Sequence, residues 1–315
     1  MSEPISCAEK SLPRVLVGAL GYEARSSQFM LSEDLDVYQE VLVFDYEAEN
    51  LHSYLENKEI YSNLLGGRAK ACSSKSEIVL EIGRLSQTFR DSGFEISVDF
   101  SSLDRGLIAD LVLAIYRNRS VIRSLEVLYF PQTFSKPELK LETVTKFGPI
   151  SPEFSGSSRS STQKLCMIVG AGYEFGKVIG AQDRLEPDEM YVFSPVGTDP
   201  KFEDAVKKAN YEFEFIGDTK NVVNYNLSEP EETFSSLFEL VRHKKSTHRV
   251  LLLPMGPKIL AVFSLLIAVR FHPDVRVWHY STHKSGDPQI SNAFASGQRI
   301  ALRFSSAAIF GEPQD

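Results

Sequence analysis

The chain has 315 residues, of which 43% are hydrophobic and 24% charged, and it carries a net charge of −8. Such a length and apolar share exclude whole-chain disorder and leave room for one large domain or two moderate ones. The acidic balance excludes a protein that coats nucleic acid nonspecifically, since phosphate contacts need concentrated Lys and Arg, although a small anionic ligand needs only a local basic pocket.

The first dozen residues, MSEPISCAEKSL, lack the apolar stretch of a secretory signal. The strand RVLVGAL follows, then Gly-Tyr-Glu-Ala-Arg at 21–25 and a second apolar strand ending at Asp45. A helical stretch, SKSEIVLEIGRLSQTFRDSG, leads to a third strand, EISVDF, a polar turn SSLDRG and the amphipathic helix LIADLVLAIY. The strand LEVLYF and a trailing strand KLETVTKF complete the series. Alternation of short apolar runs with helices of this length predicts parallel strands with right-handed crossovers, hence an α/β fold.

The same series then recurs. VGALGYEARS at 17–26 returns as VGAGYEFGKV at 169–178, and VLVFDYEAEN at 41–50 as MYVFSPVGTD at 190–199. EISVDF is matched by RVLLLP, SSLDRG by MGPKI, LIADLVLAIY by LAVFSLLIAV, LEVLYF by VRVWHY and KLETVTKF by RIALRF. Gly21 stands almost as far from Arg105 as Gly172 does from Lys258, which shared strand–helix alternation does not require. The expectation is an internal duplication: two tandem Rossmann-like parallel-sheet units, 1–148 and 165–315, packed as a pseudo-dimer, with a Ser/Gly/Pro-rich linker at 149–164. Functional loops belong at the carboxyl ends of the strands, and a cleft shared by equivalent loops is the expected ligand site.

Candidate binding residues sit in those turns. Gly21 and Gly172 permit tight turning, with Tyr22, Glu23, Tyr173 and Glu174 beside them. Glu23 suits the positive end of a helix, whereas Arg25, Arg105, Lys177 and Lys258 oppose it unless something negative is bound there. Ser101 and Ser102 could cap the following helix or contact a ligand, Gly256 shapes the equivalent turn, and Asp45 stands where nucleotide folds hold a ribose. Neither GxxxxGK[ST] nor GxGxxG occurs, so no NAD or ATP cofactor is implied, and no GxSxG elbow suggests a hydrolase. His279 and His283 lie at a strand end without metal spacing, and no metal is expected. Cys7, Cys72 and Cys166 are scattered without CxxC spacing, reading as reduced thiols of a cytoplasmic protein. The longest apolar run, Ile259–Val269, is too short to span a bilayer, so no membrane partner is expected. SAAIFGEPQD reads as a frayed terminus.

Asp99-Phe-Ser101-Ser-Leu-Asp-Arg105 fits the pattern [DN]-x-[ST]-x-x-x-[RK] after a core strand, and with the doubled architecture the chain resembles the CRISPR-associated Rossmann fold (CARF) superfamily, in particular its fused two-copy SAVED forms. The second copy, Leu252-Leu-Pro254-Met-Gly-Pro-Lys258, keeps only the basic residue. The resemblance implies a regulatory protein of prokaryotic antiviral defence. Such a protein would bind a nucleotide or cyclic oligonucleotide between its halves and act through a separate effector protein. Two alternatives stand beside it: a ring-nuclease-like enzyme using Ser101, Ser102, Glu23 and Glu174, and a scaffold with vestigial clefts.

Overall fold

The computed structural model describes residues 11–136, 143–157, 163–173, 176–196, 199–210, 221–281 and 292–311. In the first half, β1 (Arg14–Leu20), α1 (Gln28–Ser32), β2 (Glu40–Asp45), α2 (Tyr54–Leu65), β3 (Ala69–Cys72), α3 (Lys75–Thr88), β4 (Phe94–Asp99), α4 (Arg105–Arg117) and β5 (Ile122–Tyr129) alternate as expected. After β6 (Lys146–Pro149) the second half runs β7 (Lys164–Gly170), α5 (Lys177–Leu185), β8 (Glu189–Val196), α6 (Pro200–Ala209) and β9 (Val222–Asn226). It continues through α7 (Pro230–Lys244), β10 (His248–Pro254), α8 (Lys258–Arg270) and β11 (Val275–Ser281) to β12 (Ile300–Ser305) and α9 (Ser306–Phe310).

These strands build two six-stranded mixed sheets, β12-β5-β4-β1-β2-β3 and β6-β11-β10-β7-β8-β9. The parallel cores, 5-4-1-2-3 and 11-10-7-8-9, share one order, and each sheet ends in one antiparallel strand. The trailing strands are exchanged between halves. β6, which follows the first unit in sequence, pairs with β11, while β12, which follows the second, pairs with β5. A boundary at 148 therefore cuts through a strand of the second sheet, and 165–315 contains a strand of the first.

One apolar layer lies between the sheets. It joins Val15, Val98 and Val127 of the first sheet with Val250 and Val277 of the second, and takes in α3, α4, α7, α8 and α9. α8 is apolar all round because it has no solvent face: every residue from Ile259 to Val269 is buried. Outer helices cover the remaining faces, α1 and α2 on the first sheet and α5 and α6 on the second. The last helix is no frayed end. Ile309 and Phe310 are buried in the shared layer, with Phe310 edge-on to Tyr116. Among the described residues no helix is long and apolar enough to cross a membrane, and Cys72 and Cys166 are free, buried thiols.

Candidate functional site

The loops before α4 and α8 meet where the halves cross. Arg105 Nη2 donates to the Gly256 carbonyl at 2.6 Å, and Lys258 Nζ donates to the Ser101 carbonyl at 2.9 Å. Each half thus sends the first side chain of its helix to the strand-tip loop of the other. Both residues are partly exposed, and among the described residues neither touches a carboxylate. Gly256 lets its turn rest on the Ala171–Gly172 loop of the same half: at φ +73°, a Cβ there would lie 2.2 Å from the Ala171 carbonyl and 3.2 Å from the Cα of Gly172.

Asp99 and Ser101 set the shape of the first loop. Asp99 Oδ1 accepts from the backbone N–H of Ser101 at 2.9 Å and from its hydroxyl, which in turn accepts from Phe130 N at 2.8 Å. Burial lifts the Asp99 carboxyl above the usual aspartate range, against the pull of these Ser101 bonds. Neither Ser101 nor Ser102 caps α4. Asp104 does, accepting from Leu107 N at 2.9 Å and from Lys75 Nζ at 3.0 Å. The start of α8, by contrast, has no side-chain cap, so its positive end is left uncompensated.

Beside the crossing, Glu23 and Arg25 form a buried pair at 2.9 Å, each about 5% exposed. Burial raises the Glu23 carboxyl, but Arg25 and then Lys258 outweigh it and hold it below its ordinary value. Arg25 also donates to the Phe130 carbonyl at 3.3 Å and lies against the Tyr129 hydroxyl. It is therefore a structural ion-pair member and not a free phosphate ligand. Lys258 is pushed down to about 8, chiefly by desolvation, with Arg25 and Arg105 adding to the effect and Glu23 opposing it. Three polar atoms on residues around this point are buried without a hydrogen-bond partner among the described residues: Arg105 Nε, Ser102 Oγ and Tyr225 Oη. Leaving such groups unmade costs about 1–3 kcal/mol each, so orphans grouped around one crossing ask for an acceptor.

The other expected residues divide. Gly21, Ser102, Gly172 and Gly256 belong to the crossing loops. Asp45 is occupied elsewhere, accepting from Tyr54 Oη at 2.7 Å and Glu47 N at 2.8 Å. Tyr173 stacks on Phe202, with centroids 5.9 Å apart, and Tyr22 is tilted against His52 at 6.0 Å. Lys177 heads α5, 6.0 Å from the Tyr280 ring centroid. Glu174 and His283 lie outside the described residues. Among the described residues no group of His, Cys, Asp or Glu is placed to hold a metal ion.

Several residues at the site went unread in the sequence. Asn57, 1% exposed, donates to the carbonyls of Gly21 and Glu23, each at 2.9 Å, and Asn210 does the same for Gly172 at 2.9 Å. Their near-equal distance from each Gly-Tyr-Glu string was the available signal. Tyr129 ends β5, Tyr225 is the last residue but one of β9, and His279, considered in the sequence only as a metal ligand, lies two residues before the end of β11; only sheet register brings them near Arg25 and Arg105. No protein-family model matches this chain, and no curated protein matches its sequence.

Proposed function

We propose that this protein is a ligand-sensing regulator that binds a nucleotide or cyclic oligonucleotide where its two halves cross. The observation that carries the reading is the reciprocal seating of Arg105 and Lys258. Two cations without carboxylate partners among the described residues stand at two helix starts, beside donors with nothing to bond. Such an array is donor-rich and suits the acceptor oxygens of a phosphate. The common strand order and the paired Asn57 and Asn210 support descent of the halves from one duplicated unit. They also support the CARF-like reading, in which signalling passes to a separate effector. Catalysis has less in its favour, because the Ser101 hydroxyl is fully buried and already bonded on both sides.

One observation favours a second reading: each cation already satisfies a carbonyl of the opposite half, as a structural lock would. Melting curves across a panel of linear and cyclic nucleotides separate the two. A sensor is stabilised by a ligand that binds only the native state, by roughly 3 kcal/mol at a hundredfold excess over Kd. Arg105→Ala and Lys258→Ala should abolish that shift while leaving a cooperative ligand-free transition. No shift with any nucleotide, together with a large loss of ligand-free stability in both variants, would establish the lock instead.

A further inference from the structure

Among the described residues no side-chain hydrogen bond or ion pair holds His279. β11 buries Val275 and Val277 on its inner face, and two-residue periodicity continues that face to His279 and Ser281. The exchanged strand β6 sets Gly148 opposite His279 and Lys146 opposite Ser281, so Lys146 stands on the same face. On the other side, β10 pairs Leu252 with Val277 and then runs into Pro254 and Gly256, whose carbonyl holds Arg105. The charged groups that act on the imidazole are Arg105 and Asp104 from the start of α4 and Lys146 from β6, with a smaller effect from Lys177 of α5, which lies over Tyr280 on the other face of the sheet. Asp104 is already shared with Lys75 and the α4 cap. Desolvation first, then Arg105 and Lys146, press the ring down to about 4, which leaves it neutral near pH 7. Like charges around a half-buried imidazole repel one another, and an anion among them would relieve the repulsion.

We propose that Arg105, Lys146 and His279 form the phosphate seat of the ligand site, and that seating an anion there draws one proton from solvent onto His279. The inference rests on the sensor reading and adds to it. One of the three residues, Lys146, comes from a strand exchanged between the two units, and occupancy is linked to proton uptake. The linkage sign follows from charge. A bound anion raises the imidazole's proton affinity, so binding strengthens as pH falls from neutrality toward the free ring's value.

Inorganic sulfate is the probe, because it remains a dianion across this range and any pH dependence then belongs to the protein. Sulfate should bind roughly tenfold more tightly at pH 5 than at pH 7, the consequence of a shift of about two pKa units on binding. The His279 ring signal in the NMR spectrum should move toward the protonated form, with His52, His243 and His248 as internal references. His279→Gln should flatten the pH profile, and Lys146→Ala should weaken sulfate about tenfold, in proteins whose circular dichroism is unchanged. A flat profile, or sulfate binding indifferent to Lys146→Ala, overturns the proposal. If nucleotides stabilise the protein through Arg105 and Lys258 while His279→Gln and Lys146→Ala bind them normally, the seat is wrong and the sensor reading stands. If neither sulfate nor nucleotide binds, both fall.

Discussion

Lys258 shows how one side chain can be costly for the fold at the point proposed as the ligand site. Its ammonium is desolvated among Arg25 and Arg105, with Glu23 as the nearest compensation, and its proton leaves at about 8 instead of near 10.5. The unfolded chain therefore holds a proton between these values that the folded chain has lost, and this residue's contribution to stability rises with pH across that window. Below pH 8 both states are charged and the fold bears the full penalty. The difference in unfolding free energy between wild type and Lys258→Met should shift in favour of wild type from pH 8 to 10. A difference that stays constant over that range would show that the lysine is solvated. The buried Glu23–Arg25 pair has the same sign of pH dependence but is a gain and not a penalty: its depressed carboxyl contributes stability above the ordinary glutamate range, lost as acid reprotonates it.

Among the elements, the turn from β10 into α8 is the least replaceable. Gly256 adopts a left-handed backbone and rests on the Ala171 carbonyl, so Gly256→Ala adds conformational strain of about 1–2 kcal/mol and a clash that the backbone must move to relieve. That movement displaces the carbonyl holding Arg105. The substitution should therefore lower the melting temperature and also remove any nucleotide-induced shift. Gly83 in α3 is the contrasting case, with nothing within 4 Å of an added Cβ. Gly83→Ala should stabilise by about 0.5–1 kcal/mol and leave ligand response untouched. Equal losses in both would mean that the β10–α8 turn has no special role.

Across the whole molecule, the exchange of β6 and β12 makes the halves interdependent. Each sheet lacks its sixth strand without the other half, and each would expose the apolar layer that α4 and α8 share. Fragments 1–148 and 165–315 should aggregate when produced alone and form a 1:1 complex when produced together, as size-exclusion chromatography would register. A cooperative, monomeric 1–148 fragment would contradict this. Arg105 and Lys258 each reach across the same boundary, so under the proposed function a ligand held by them would respond to the relative placement of the halves.

Apolar runs separated by helices, and the second appearance of Gly-Tyr-Glu before a basic turn, were enough to read out an α/β chain with two similar sheets, because strand and helix periods are local properties. The basic residues of the two turns were legible for the same reason: a cation at a helix start is anomalous within a few residues of sequence. Which strand joins which sheet was not legible, since KLETVTKF and RIALRF satisfy either edge equally well and only packing of the whole chain chooses between them. Nor could sequence tell that Arg25 would be spent on Glu23, that Tyr173 would stack on Phe202, or that the terminal Ile309 and Phe310 would be buried. Those outcomes depend on neighbours supplied from distant parts of the chain. The same holds for Tyr225 and His279, whose chemistry comes from desolvation and charge that exist only once two sheets have closed around α4 and α8.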